Sequence, residues 1–155
     1  MISKVTFERT VYQGPPAKLE AGTGNVAGAV GLGAALDHPS RLGLPVLERY
    51  EHELPEYAMA EIRSVPGVHL IGTAPEKASA LTFVLDGHRP EDVGSALDKE
   101  AIAVRAGHHC AQPILRRHGL ESAVRPSLAM YNTYAELDLL VAALRRLAAD
   151  AVRRR

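Results

Sequence analysis

The sequence predicts an α+β fold, a mainly antiparallel sheet with helices packed against it. Three observations carry that prediction. Two long stretches place apolar residues at helical spacing, several short β-branched runs lie between turn residues, and the order reads helix, strand, strand, helix, strand, strand, helix. That order follows a Gly- and Pro-rich opening, so a boundary is expected near "HPSRLGLP", residues 38–45, separating residues 1–42 from 43–155.

In the opening region the one regular element expected is a small-residue helix over 25–37, "NVAGAVGLGAALD". In "VLERYEHELPEYAMAEIRSV", Leu47, Tyr50, Leu54, Tyr57, Ala58 and Ile62 form one stripe. Pro55 should kink or split that helix, and Pro66-Gly67 should end it. "VHLIGT" and "ALTFVL" read as strands, "RPEDVGSALDKE" as a short helix with proline near its first turn, and "IAVRA" as a strand. "AVRPSLAMY" reads as a fourth strand, which Pro126 should confine to an edge or a bulge because proline cannot donate to a ladder. The closing helix, about 134–152, carries Leu137, Leu140, Val141, Leu144 and Leu147 on one face, and the terminal arginines oppose the negative end of its dipole.

The 155 residues, 46% hydrophobic and 23% charged, have the composition of a globular domain rather than a disordered chain. Eighteen basic and eighteen acidic side chains cancel, so nothing marks the whole chain for nucleic acid or an anionic membrane. The start lacks the pattern of a secretory signal, the most apolar run is too short to span a bilayer, and the single cysteine forms no internal disulfide. A cytoplasmic setting is expected.

That cysteine, Cys110, is the strongest chemical candidate. A thiol attacks as its thiolate, which nearby cations favour, and Arg105, His108 and His109 precede it while Arg116, Arg117 and His118 follow. The alternative is an inert cysteine buried in the core. Zinc is a poor reading of "HHC", because tetrahedral sites separate their ligands by two or more residues, and no metal is expected. Gly22, Thr23, Gly24 and Asn25 precede the small-residue helix, where free backbone N–H groups and a hydroxyl suit a phosphate, or form an ordinary helix cap. Arg125, seven residues before Asn132, is a fork for a carboxylate or a solvated surface arginine.

Together "IAVRAGHHCAQP", "VRPSLAMYNTYAELDLLVAALRRL" and "LEAGTGNVAGAVGLGAALD" resemble the C-terminal part of the group II, SUF-type cysteine desulfurases of the class V aminotransferase fold group, over essentially all of residues 1–150. The resemblance implies a small C-terminal domain of a fold type I enzyme dependent on pyridoxal 5'-phosphate (PLP), over residues 43–155, with residues 1–42 a remnant of the large cofactor-binding domain. Cys110 then matches the nucleophile that takes sulfur from L-cysteine as a persulfide, leaving alanine. Arg125 matches the residue that holds the substrate carboxylate, and Arg105 belongs to the active-site loop. His108 and Asn132 join them as substrate-binding residues, and Thr23 matches the contact to the cofactor phosphate of the other protomer.

The sequence also departs from the family. The cofactor lysine, the aspartate that pairs with the pyridine nitrogen and the histidine that stacks on the ring lie in a large N-terminal region not represented here. Lys4, Lys18, Lys77 and Lys99 stand in none of its contexts. Gly24 replaces a usual proline, Lys18-Leu19 a usual Arg-Phe, and Pro126 a usual small residue. The expectation is a chain that does not hold PLP covalently and is inactive alone. It would act as a homodimer or with a full-length or N-terminal desulfurase chain, and pass sulfur to a SUF-type acceptor protein for iron-sulfur cluster assembly. The alternatives are a stand-alone sulfur relay and a non-catalytic interaction module.

Overall fold

The structure is a computed structural model and describes residues 1–72, 74 and 77–153. The chain divides into two compact units, Met1–Leu44 and Pro45–Arg155.

The first unit contains a hairpin that the opening sequence did not announce, β1 (Ile2–Val5) with β2 (Thr10–Tyr12), antiparallel and irregular between Ile2 and Lys4. The exposed face of so short a pair leaves no alternation to read. Its helix, α1 (Val26–Leu42), runs past the expected end at residue 37 and continues through Pro39. No residue of this unit is buried, and Val30, Leu32 and Leu36 of α1 are each more than 60% exposed. A 44-residue unit without a buried side chain has no core of its own to offset its chain entropy.

The second unit is the α+β body. Helix α2 (Leu44–Arg63) belongs to it in all but its first residue, followed by β3 (Val68–Ile71), β4 (Thr82–Leu85), α3 (Pro90–Asp98), β5 (Arg105–Gly107), α4 (Gln112–Arg117), β6 (Ala123–Arg125) and α5 (Tyr134–Arg153). The sheet order is β3-β4-β6-β5, and every pairing is antiparallel. Leu54, Ala58 and Ile62 of α2, Val93 and Leu97 of α3, and Leu137, Leu140, Val141 and Leu144 of α5 close one core with Phe83, Leu85 and Val124 of the sheet. Tyr50, Tyr57 and Leu147 pack at its margin.

Pro55 neither splits α2 nor leaves it short of a partner. The carbonyl four residues earlier, Glu51 O, has lost its helical donor and instead accepts the Ser79 hydroxyl at 3.1 Å. Pro126 also behaves differently from the expectation. The strand β6 is interior rather than an edge, and it stops one residue before the proline. The Pro126 carbonyl then accepts Leu81 N–H at 3.0 Å and pairing resumes as a bridge between Ala80 and Ser127. The expected strand "IAVRA" is shorter, since Ile102 and Val104 lie before β5, and α4 was not anticipated. Thr73 of "VHLIGT", and Arg154 and Arg155 of the terminal arginines, lie outside the described residues, while Arg153 does occupy the last turn of α5. Among the described residues no helix is long and apolar enough to cross a membrane.

Candidate active site

The site is built on the last strand pair of the second unit. β5 and β6 run antiparallel with Arg105 opposite Arg125, Ala106 opposite Val124, and Gly107 opposite Ala123. Residues directly opposite on paired strands project from the same face, so two guanidinium groups share one patch of sheet. Among the described residues no carboxylate pairs with either. Arg125 is half-buried, and its Nε is buried without a hydrogen-bond partner among the described residues. A buried N–H left unpaired costs about 1–3 kcal/mol. A planar carboxylate is the complement an arginine fork accepts best.

Beyond Gly107 the chain leaves β5 in a strained turn. His109 and Cys110 have φ of 54° and 56°, successive side-chain-bearing residues in the left-handed region, at a cost of roughly 1–2 kcal/mol each. Three hydrogen bonds hold this geometry. Cys110 N–H donates to His108 Nδ1 at 2.9 Å, Ala111 N–H donates to the His108 carbonyl at 2.9 Å, and His109 Nε2–H donates to the Ala123 carbonyl of β6 at 2.9 Å. The outcome is a free, exposed Cys110 thiol, and the alternative of a cysteine buried in the core does not hold.

The two histidines therefore have structural duties. The His108 ring accepts at Nδ1, so in its neutral form the proton sits on Nε2. His109 is held below its ordinary value of 6.5, chiefly because burial disfavours the charged ring. The Arg125, Arg105 and His108 charges push the same way, against the Ala123 carbonyl, which favours the protonated ring.

Asn132 lies in the turn before α5. Its Oδ1 accepts Ala129 N–H at 2.9 Å and its Nδ2 donates to Glu136 at 3.3 Å. Thr133 and Glu136 complete a reciprocal helix cap, in which Glu136 accepts Thr133 N–H at 2.8 Å and Thr133 Oγ1 accepts Glu136 N–H at 3.3 Å. These contacts hold the Glu136 carboxyl below its ordinary range, led by the Thr133 N–H. Helix α2 pins the turn from below, with Tyr50 O–H donating to the Asn132 carbonyl at 2.5 Å and Glu51 accepting Met130 N–H at 3.2 Å. Both ends of the Asn132 amide thus have partners within the fold, leaving one N–H for anything else. Asn132 also lines a cleft of about 470 Å³ with Ile102, Val104, Pro126, Leu128 and Leu140. Tyr50 and Glu51 were missed as site-supporting residues because helical spacing reports burial, not hydrogen-bond partners.

Thr23, in the first unit, is exposed just before α1. The backbone N–H groups expected to be free there are partly used, since Val26 N–H donates to the Gly24 carbonyl at 2.8 Å and Gly28 N–H to Asn25 Oδ1 at 2.9 Å. Asn25 is an ordinary cap. Of the lysines, Lys77 donates to the Gly72 carbonyl at 3.0 Å and Lys18 lies 5.9 Å from the Tyr12 ring centre. No charged side chain is buried among the described residues, and no three His, Cys, Asp or Glu side chains there converge on a possible metal position.

Comparison with known proteins gives this arrangement a family. The class-V aminotransferase model matches residues 1–140. A cysteine desulfurase of Synechococcus elongatus is 62% identical over 147 residues, which are 95% of this chain and 24% of that protein. A probable cysteine desulfurase of Mycolicibacterium paratuberculosis is 62% identical over 148 residues, 96% of this chain and 22% of that protein. The chain thus spans about a quarter of the length of these relatives. Among solved structures, the apo cysteine desulfurase of Thermococcus onnurineus matches with a TM-score of 0.83 at 32% identity, over 96% of this chain and 38% of that one. The Escherichia coli cysteine desulfurase CsdA, in its S-sulfonic acid form, matches with a TM-score of 0.81 at 36% identity, over 97% and 37%. The fold is that of cysteine desulfurase structures, and with nine-tenths of its length matched the chain belongs to the class-V aminotransferase family.

Proposed function

We propose that this chain is the sulfur-accepting part of a cysteine desulfurase of the group II, SUF type. Residues 43–155 are its small C-terminal domain and residues 1–42 a strip of its large domain. The observation that carries the reading is Arg125, a half-buried arginine whose Nε has no partner among the described residues, directly opposite Arg105 on the strand that leads to the exposed Cys110. Such a pair binds the carboxylate of an amino acid, and the cysteine beside it receives the group released from the same molecule. The substrate is L-cysteine.

The reaction balances without an outside oxidant. A bond forms between Cys110 Sγ and the substrate sulfur while the substrate's Cβ–S bond breaks. Two protons, one from each thiol, are redistributed to the new persulfide and to the product alanine. In this scheme Arg125 and Arg105 hold the carboxylate. His108 and His109 fix the turn so that the thiol points outward, and burial of His109 disfavours a third positive charge beside the two arginines while its ring still donates to Ala123.

The residues present do not make a PLP site by themselves. A covalently held cofactor needs a desolvated lysine, and no described lysine is buried. Before α1, two N–H groups are engaged by Gly24 and Asn25, and Thr23 contributes its hydroxyl to a phosphate site completed elsewhere. PLP and its lysine therefore come from another region or another chain, in the homodimer or in association with an N-terminal desulfurase segment. The 155 residues taken alone are inactive. Sulfur leaves through a SUF-type acceptor protein.

Absorbance and borohydride trapping test the division of labour. Incubated with PLP, the 155-residue chain should retain no cofactor after borohydride and release no alanine from cysteine. A mixture with an N-terminal desulfurase segment should release alanine and carry borohydride-fixed PLP on that segment, partially and in proportion to concentration, because docking must offset an association cost of about 4 kcal/mol or more. Retention of borohydride-fixed PLP on one lysine of the isolated chain would contradict the assignment.

A further inference from the structure

Helix α3 carries a glycine in its interior, Gly94, where alanine would favour the helix more. Its surroundings account for the choice. A Cβ built on Gly94 would come within 2.9 Å of the Ala106 Cβ on β5. Ordinary carbon contacts lie at about 3.5–4.0 Å, so one of the two elements would have to give by roughly 0.6 Å or more. Only a residue without a Cβ lets α3 and β5 meet at this distance.

The strand, not the helix, is the part that would move. Val93 and Leu97, on either side of Gly94, are fully buried and hold α3 in the core with Phe83 and Val124. By contrast β5 is three residues long, ends the sheet among the described residues and is paired with β6 on one side, and its Ala106 is exposed. Ala106 lies opposite Val124, a core residue, and so shares the face of the sheet that meets α3. Alternation along the strand puts Arg105 on the other face, opposite Arg125. Pressure on Ala106 from α3 therefore drives Arg105 out of the layer it shares with Arg125. It also strains the hydrogen bond of His109 to the Ala123 carbonyl, which spans the same two strands.

We propose that Gly94 is a positioning residue for the arginine pair: by admitting α3 to contact with Ala106 it sets the depth of β5, and through it the spacing of Arg105 from Arg125 and from Cys110. The proposal rests on the reading of the two arginines as a carboxylate site and adds a residue on the opposite face of the sheet. Misplacement on the order of 1 Å can cost well-oriented reacting groups about 10²-fold, so a displacement of this size is readable in the chemistry.

Two alkylating agents test this on the 155-residue chain. Iodoacetate and iodoacetamide deliver the same carbon to Cys110, the chain's one cysteine, but only iodoacetate carries a carboxylate. The ratio of their rates cancels the exposure and ionisation of the thiol and reads the arginine pair. At an ionic strength near 0.01 M, where screening extends over about 30 Å, the ratio in the parent should exceed that in Arg105→Ala about fivefold. Gly94→Ala should lower the parent ratio about threefold, and Ala106→Gly added to Gly94→Ala should restore it by reopening the contact. Ala106→Val presses on the same contact from the strand side and should also lower the ratio, which keeps the test open if Gly94→Ala does not fold. Leu97→Val loosens α3 without adding bulk at Ala106, so it should lower the urea midpoint and leave the ratio at the parent value. A parent ratio no higher than that of Arg105→Ala overturns the carboxylate reading, and this proposal with it. A higher parent ratio overturns the positioning role alone if it persists in both Gly94→Ala and Ala106→Val, if Ala106→Gly fails to restore it, or if Leu97→Val lowers it as much.

Discussion

Arg105 and Arg125 face each other across β5 and β6, and the Nε of Arg125 is buried without a partner among the described residues. Like charges opposite one another on paired strands cost of the order of 0.2–1 kcal/mol, and an unmet buried N–H adds to that. In a buffer without carboxylates, Arg105→Ala should therefore leave the second unit as stable as the parent, or more stable by up to about 1 kcal/mol, by urea unfolding. Addition of a small carboxylate should raise the midpoint of the parent more than that of Arg105→Ala. A loss of 2 kcal/mol or more in Arg105→Ala would show that the pair is compensated in some other way.

Burial of His109, reinforced by the same two arginines, fixes the sign of a pH effect. His109 has a folded-state value below its ordinary 6.5, so at pH above that value both folded and unfolded rings are neutral and its contribution is fully present. As pH falls below 6.5 the unfolded ring takes up a proton that the folded ring resists, and stability declines. Urea midpoints measured from pH 7.5 down to 5.5 should fall, and the slope should flatten in His109→Gln. A parent whose midpoint rises over this range would reverse the assignment.

Cys110 sits at φ of 56° and its thiol is exposed. Native chain should be alkylated by iodoacetamide without denaturant, at a rate unchanged by mild urea. Cys110→Gly, which removes the left-handed penalty, should be neutral or stabilising by up to about 1 kcal/mol, whereas Cys110→Val should destabilise by about as much or more, because a branched side chain fits that region poorly. Alkylation that appears only on unfolding would remove Cys110 from the surface.

The Ser79 hydroxyl replaces the hydrogen bond that Pro55 withholds from Glu51 O. Ser79→Ala should cost about 0.5–1.5 kcal/mol in the parent and less in a Pro55→Ala background, where the helix supplies its own donor. Equal costs in both backgrounds would mean that the hydroxyl and the proline act independently.

Much of the second unit was legible because its signals are local and periodic. Leu54, Ala58 and Ile62, and Leu137 through Leu144, repeat at helical spacing and are buried as that spacing requires. Proline at the first turn marked α3. Proline near the first turn of α4 is an equal signal, but a six-residue helix is too short to show a periodic apolar face beside it. The parts that stayed hidden depend on long-range pairing. The register that sets Arg105 against Arg125, and the Ser79 donor that keeps Pro55 inside a continuous helix, involve residues 20 or more positions apart. Composition could indicate cations near Cys110, but not that His108 and His109 would be consumed in holding its turn.

The measurement closest to the central claim is the fate of sulfur in a reconstituted mixture of this chain, an N-terminal desulfurase segment, PLP and L-cysteine. The intact mass of the chain should rise by one sulfur atom, reversibly by reductant, while an equal amount of alanine appears. Cys110→Ser should lose both signals, and Arg125→Ala should require a higher cysteine concentration for the same rate. Alanine released by Cys110→Ser at the rate of the parent would contradict the account.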